Sequence, residues 1–202
     1  MKLLIIIDAG HGYNTAGKRS PDSRLMEWKW NRDFAYMLQS KLKEKGISAQ
    51  MLVPEDYDVS LSNRCLRANT AAKKYKAVGY DSLVISVHVN AAGENKWSKA
   101  CGWSCYTYTK ASQKSRKFAS IIGKKAEEMG LTGDRWIPES FYHEANFYIL
   151  KNTDSPAVLC ENMFMTNKED VDFLLSTQGM EKLAYLYINS ILDYIAHYNY
   201  TI

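Results

Sequence analysis

The sequence predicts an α/β protein, a single domain with a mostly parallel sheet. Three observations predict it. Short, solidly apolar runs such as Leu3–Asp8 read as strands buried on both faces. Between them lie stretches whose apolar residues recur every three or four positions, the period of a helix with one buried face. No linker, repeat or low-complexity tract divides the 202 residues, so residues 1–202 are read as one domain of ordinary size.

The elements follow in order. Leu3–Asp8 is the first strand, broken by Gly10-His11-Gly12, and a polar loop runs on to Met26. Glu27–Lys45 places Trp30, Phe34, Met37, Leu38 and Leu42 on one helical face and stops at Gly46. Ile47–Val53 is a second strand, ended by Pro54. Ser60–Lys76 is a second helix, and Ser82–Val89 a third buried strand. Gly102–Thr109 alternates small or polar residues with large ones, as a half-exposed strand does. Ala111–Met129 is a third helix, closed by Gly130. Residues 131–145 are irregular. Phe147–Leu150 and Ala157–Glu161 look like two further strands. Thr166-Asn-Lys-Glu169 has the form of a capping box and opens a short helix to Leu175. A last helix runs from about Met180.

Composition narrows the class. A net charge of +4, with 46% hydrophobic residues, excludes a disordered chain and is too weak and dispersed to point to nucleic acid. No apolar run approaches the ~18 residues of a membrane span, so no membrane partner is expected. Leu3–Ile7 is shorter than the ~7–15-residue core of a signal peptide, so the chain is expected to be made in the cytoplasm without an export signal. Cys65, Cys101, Cys105 and Cys160 form no CxxC pair and are read as four free thiols, with a Cys101–Cys105 bridge across a bend at Trp103 as the alternative.

Sites in such sheets form beyond the carboxyl ends of strands. His11 follows the first strand, His88 lies near the end of the third, and Glu161 ends the Ala157 strand. Glu27 opens the first helix, just after the loop carrying His11. Two imidazoles and a carboxylate meeting at one point would make a catalytic zinc set with an open position for water, and a second carboxylate could take that water's proton. The glycines flanking His11 would let the backbone turn sharply. Each residue also has an ordinary structural role. A strand histidine is commonly a satisfied core residue, and Glu27 suits the positive end of a helix dipole. A buried Glu161 is harder to dismiss, since an unpaired buried carboxylate is costly. Residue types alone leave both readings open. Competing chemistries fit worse: His143-Glu144 begins like HExxH, but Phe147 stands where the second histidine belongs, and Cys160 with His88 lacks further support as a nucleophile–base pair.

Taken together, Ile6-Ile-Asp-Ala-Gly-His-Gly12, Glu27, Ser86-Val-His-Val-Asn-Ala91 and Pro156-Ala-Val-Leu-Cys-Glu161, with Phe164 and Asn167, resemble the zinc-dependent N-acetylmuramoyl-L-alanine amidases of the amidase-3 (LytC/AmiC-like) type. Leu61, Arg64, Ala68 and Asn69 match that family's second helix. The resemblance covers nearly the whole chain. It implies a twisted sheet of about six strands flanked by helices. It implies one Zn2+ ion held by His11, Glu27 and His88, with Glu161 as the catalytic carboxylate. The substrate implied is peptidoglycan, cut between N-acetylmuramic acid and L-alanine; a related zinc peptidase or carboxypeptidase, or a non-catalytic wall-binding module, are the alternatives. Oligomeric state is left open.

Two stretches depart from the family. The loop after His11 lacks the usual Gly-Gly-x-Asp-x-Gly-Ala. Residues 136–145 match poorly and read as a groove-shaping insertion, because a long aromatic loop is uncommon unless it binds something. Trp136, Phe141, Tyr142 and His143 are therefore expected to border the substrate groove, the alternative being that they only pack the loop onto the core; Asn90 is also expected to contact substrate. A catalytic domain without an export signal resembles a phage endolysin, expected to reach the wall through a phage-type membrane pore.

Overall fold

A computed structural model describes residues 1–93, 96–133 and 136–202. The strands are β1 (Lys2–Ala9), β2 (Ser48–Met51), β3 (Tyr80–Asn90), β4 (Ser104–Thr107), β5 (His143–Glu144) and β6 (Ala157–Phe164). The helices are α1 (Glu27–Glu44), α2 (Leu61–Lys76), α3 (Gln113–Glu128), α4 (Tyr148–Asn152), α5 (Lys168–Leu175) and α6 (Thr177–His197). The strands form one sheet in the order β2-β1-β3-β6-β4-β5. β2, β1, β3 and β6 run parallel; β4 is antiparallel to β6, and β5 parallel to β4.

The apolar run of β1 is continuous because both faces are covered. Leu3, Ile5 and Ile7 share a core with Trp30 and Phe34 of α1, Phe118 of α3, Leu174 of α5 and Tyr187 of α6. Leu4 and Ile6 pack instead with Cys65 and Ala68 of α2 and Ile149 and Leu150 of α4. Fully burying a side chain such as Phe34 or Leu38, both at 0% exposure, contributes about 1.5–3 kcal/mol each. On the α2 side the face turns polar toward the strands' carboxyl ends. Asp8 lies beside Ser86, Ser86 beside Leu159, His88 beside Glu161 and Glu161 beside Ser104.

Several elements differ from the sequence expectation. Phe147–Leu150 is not a strand: Tyr148–Asn152 forms a helix, closed by Lys151 N–H donating to Phe147 O at 3.0 Å. Four consecutive apolar residues carry no period, so a buried helical turn and a short strand read alike. β5, His143–Glu144, lies within the stretch expected to be irregular and pairs with β4, Tyr106 opposite His143. β4 is shorter than expected and mostly buried rather than half-exposed, since Ser104, Cys105 and Thr107 are all covered. The short helix is capped by Asn167, which accepts from Asp170 N, and not by Thr166, whose hydroxyl accepts from Ala92 N. The last helix begins at Thr177 with Ser176 as its cap. All four cysteines are free; Cys105 and Cys160 face each other across β4 and β6 with sulfurs 3.9 Å apart. No helix among the described residues is long and apolar enough to cross a membrane.

Candidate metal centre

The side chains of His11, Glu27 and His88 converge where β1, β3 and α1 meet, their ligand atoms all within 4.8 Å of one another. Each is placed by its own element. His11 leaves β1 in the left-handed region at φ 59°. The flanking glycines keep ordinary φ and serve by lacking a Cβ: one at Gly12 would lie 2.0 Å from Asp58 N, and Gly10 has no room either. His88 stands near the end of β3. Glu27 is the first residue of α1, whose start is held by Glu27 N–H donating to Lys18 O at 3.0 Å and by a bridge between Arg19 and Met26.

Glu27 is the hub. Its Oε1 accepts from Val89 N–H at 3.0 Å and lies 3.1 Å from His88 Nδ1. Its Oε2 lies 3.5 Å from His11 Nε2, too far for a good bond, and is buried with no hydrogen-bond partner among the described residues. Burial pushes the Glu27 pKa up, but the His88 hydrogen bond, with the His88 and His11 rings and Val89 N–H, brings it net below its ordinary value. Burial lowers His11 to about 4, against a smaller opposing pull from Glu27, so this ring is neutral at pH 7 with a lone pair to offer. Burial also works against a charged His88, but Glu27 outweighs it and raises that ring. An orphaned carboxylate oxygen, a neutral imidazole and a second imidazole at ligand spacing fit a zinc ion's three protein donors.

A polar frame supports the set. Arg64 donates to Asp8 Oδ1 at 2.6 Å and to Asp58 Oδ1 at 2.9 Å, and Ser86 Oγ donates to Asp8 Oδ2 at 2.6 Å. Asn162 Nδ2 donates to His88 O at 3.0 Å, while its Oδ1 accepts from Trp103 and Tyr187. Here the β3–β6 register shifts and Met163 takes φ 63°, a bulge that leaves Glu161 beside His88.

A cavity of about 450 Å³ opens at this point, lined by His11, His88 and Glu161 and walled by Lys18, Leu61, Phe147 and Tyr148. A second cavity of similar volume, lined by Lys73, Lys76 and Lys114, contains none of the site residues. The other residues singled out in the sequence lie elsewhere. Asn90 ends β3, its Oδ1 accepting from Ala91 N–H. Trp136, 76% exposed, lies near the His143 ring, which in turn lies 5.3 Å from that of Tyr106. Phe141 is folded against α3, its carbonyl so close that Gly123 has no room for a Cβ. Tyr142 bonds Arg116 at 3.4 Å, and Arg116 pairs with Glu144. None of these five lines the cavity beside His11. Phe147 and Tyr148, read as strand residues in the sequence, do line it. Nothing in the spacing of Asp58 or Asn162 marked them as supports.

A profile of the N-acetylmuramoyl-L-alanine amidase family, Amidase_3, matches residues 5–193. The chain is 31% identical over 183 residues to N-acetylmuramoyl-L-alanine amidase LytC of Bacillus subtilis, covering 89% of this chain but 33% of LytC. It is 26% identical over 195 residues to the endolysin of Bacillus phage SPP1, covering 91% of this chain and 63% of that protein. The crystal structure of N-acetylmuramoyl-L-alanine amidase from Clostridium difficile 630 matches it with a TM-score of 0.82 at 26% identity, covering 96% of this chain and 97% of that one.

Proposed function

The chain belongs to the N-acetylmuramoyl-L-alanine amidase family, and from that premise we propose that residues 1–202 form a zinc hydrolase of peptidoglycan. It cuts the amide between the lactyl group of N-acetylmuramic acid and L-alanine. The observation that carries this reading is the convergence of His11, Glu27 and His88, with a buried Glu27 oxygen left without a donor among the described residues, beside Glu161. These three residues would hold one zinc ion, which when bound supplies a water whose pKa is lowered toward ~7 and a Lewis acid for the amide carbonyl.

The remaining work falls to the chain's own groups. Glu161 accepts the water's proton at a carboxylate oxygen and passes it to the departing alanine nitrogen. Val89 N–H and His88 fix one oxygen of Glu27, so the other is aimed at the His11 side of the site. Leu61, Phe147 and Tyr148 give the cavity an apolar wall that sheds water from the reacting amide. The likeness to a phage endolysin supports use of this activity in lysis.

The test is release of stem peptide from purified peptidoglycan, with unmodified peptides assayed in parallel. We expect cleavage of the former only, loss of activity with a chelator, and one zinc per chain by metal analysis. Hydrolysis of free peptides without wall cleavage would overturn the assignment. A fully active preparation without a divalent metal would overturn the zinc set.

A further inference from the structure

We propose that Arg32 and Arg64 are positioning residues that hold the ligand His11 through its own backbone carbonyl. The proposal rests on His11 being a metal ligand. Arg32 Nη2 donates to His11 O at 2.8 Å and Arg64 Nη2 donates to the same oxygen at 3.2 Å. The two guanidiniums come from α1 and α2, which cover opposite faces of the sheet.

The segment they grip is unusual. The left-handed backbone of His11 is sterically disfavoured for a non-glycine residue, so something must hold it there. The two preceding carbonyls are gripped as well. Ala9 O accepts from Arg64 Nη1 at 2.7 Å, and Gly10 O accepts from Asn31 Nδ2 at 3.2 Å and Arg32 Nη1 at 3.4 Å. Three successive carbonyls at the end of β1 are thus taken by side chains.

Arg32 makes the case most directly. It is only 3% exposed, and no carboxylate among the described residues pairs with it as a salt bridge. Its bonds run to the carbonyls of Trp28, Gly10, His11, Glu55 and Tyr57. Burial, then the nearby Arg64 charge, lowers its pKa against the weaker pull of Asp56, Asp58 and Asp8. A buried cation with no directly bonded carboxylate among the described residues is a poor way to gain stability. Its fork does suit fixing several carbonyls at once, which a point-charge lysine cannot do. Asp8 and Asp58 balance Arg64 from below. α1 therefore gives the site one ligand, Glu27, and orients another through Arg32.

The test compares Arg32→Gln and Arg32→Lys with the parent and with Ile122→Val, a core change in α3 away from the site. Zinc affinity is measured by competition with a chromophoric chelator, and melting temperature on the metal-free protein. We expect both Arg32 variants to bind zinc about 10–100-fold more weakly, the range for groups that orient a ligand, with Ile122→Val unchanged. In the metal-free protein the His11 imidazole resonance should shift or broaden in both variants while that of His197 stays put. Arg32→Lys keeps charge and stem, so it tests the fork if Arg32→Gln does not fold. Zinc affinity and a His11 resonance equal to the parent's would overturn the proposal, as would losses that only track melting temperature. A parent that binds no zinc would sink the metal reading instead, and the His11 resonance would still decide the clamp.

Discussion

Gly10 lies directly against the imidazole of His88. A Cβ built at position 10 would fall 2.2 Å from His88 Cε1 and 2.6 Å from both ring nitrogens. The ring cannot give way freely, because Glu27 holds its Nδ1. Gly10→Ala should therefore displace a ligand while leaving the fold in place. We expect zinc affinity to fall on the order of 10–100-fold. Zinc titration alongside a thermal melt checks this; a variant with native affinity would show that His88 is not a ligand in this position.

Ligand and proton carrier should separate by mutation. His88→Ala should lose zinc and turnover together. Glu161→Gln should stay folded and zinc-loaded yet turn over ~10²–10⁴-fold more slowly, the usual range for a general acid–base group. Zinc content, melting and peptidoglycan turnover on the same preparations decide it. Near-native turnover by a folded Glu161→Gln protein would remove Glu161 from the mechanism.

His11 also makes a pH prediction for the metal-free protein. Its pKa is about 4 in the folded state against 6.5 as the reference value, so the unfolded chain binds more protons between those limits. The stability His11 contributes is complete above pH 6.5 and is lost as pH falls from there through about 4. His88, shifted upward, opposes part of this trend. Melting temperatures from pH 7 to 4 should therefore fall more steeply for the parent than for His11→Gln. Equal slopes would contradict the burial of a neutral ring.

The two groups of aromatics near the site can be told apart kinetically. Phe147 and Tyr148 wall the cavity, so Phe147→Ala or Tyr148→Ala should raise KM on peptidoglycan with zinc content unchanged. Trp136 is 76% exposed and lies off the cavity, so Trp136→Ala should change zinc binding not at all and KM less than either. A larger KM effect at Trp136 would extend the groove over the sheet edge toward His143.

Much of this was legible in the sequence because strand ends announce themselves. Apolar runs breaking at Asp8, His88 and Glu161 marked where the sheet turns from packing to chemistry, and parallel order places those breaks at one edge. The antiparallel insertion of β4 between β6 and β5 was not legible, since a strand's direction leaves no mark on its period. Nor was α4, because the Phe147–Leu150 run that leads into it carries no repeat. Arg32 sits between Trp30 and Phe34 in an amphipathic helix, where an arginine ordinarily marks the solvent side; its target lies 21 residues away in sequence. The glycines were legible as special, but their role is to make room, which needs knowledge of what lies above them.

The pairing of His88 with Glu161 across β3 and β6 carries a further consequence. Because neighbouring strands lie about 4.8 Å apart, the separation of these two groups is set by the backbone ladder and not by loop conformation. A slip of one residue would turn either side chain to the opposite face. Residues 136–142 lie outside that ladder and can drift in sequence without altering it. Sequence change in that stretch can thus leave the spacing of His88 and Glu161 untouched, because that spacing is locked into the weave of the sheet.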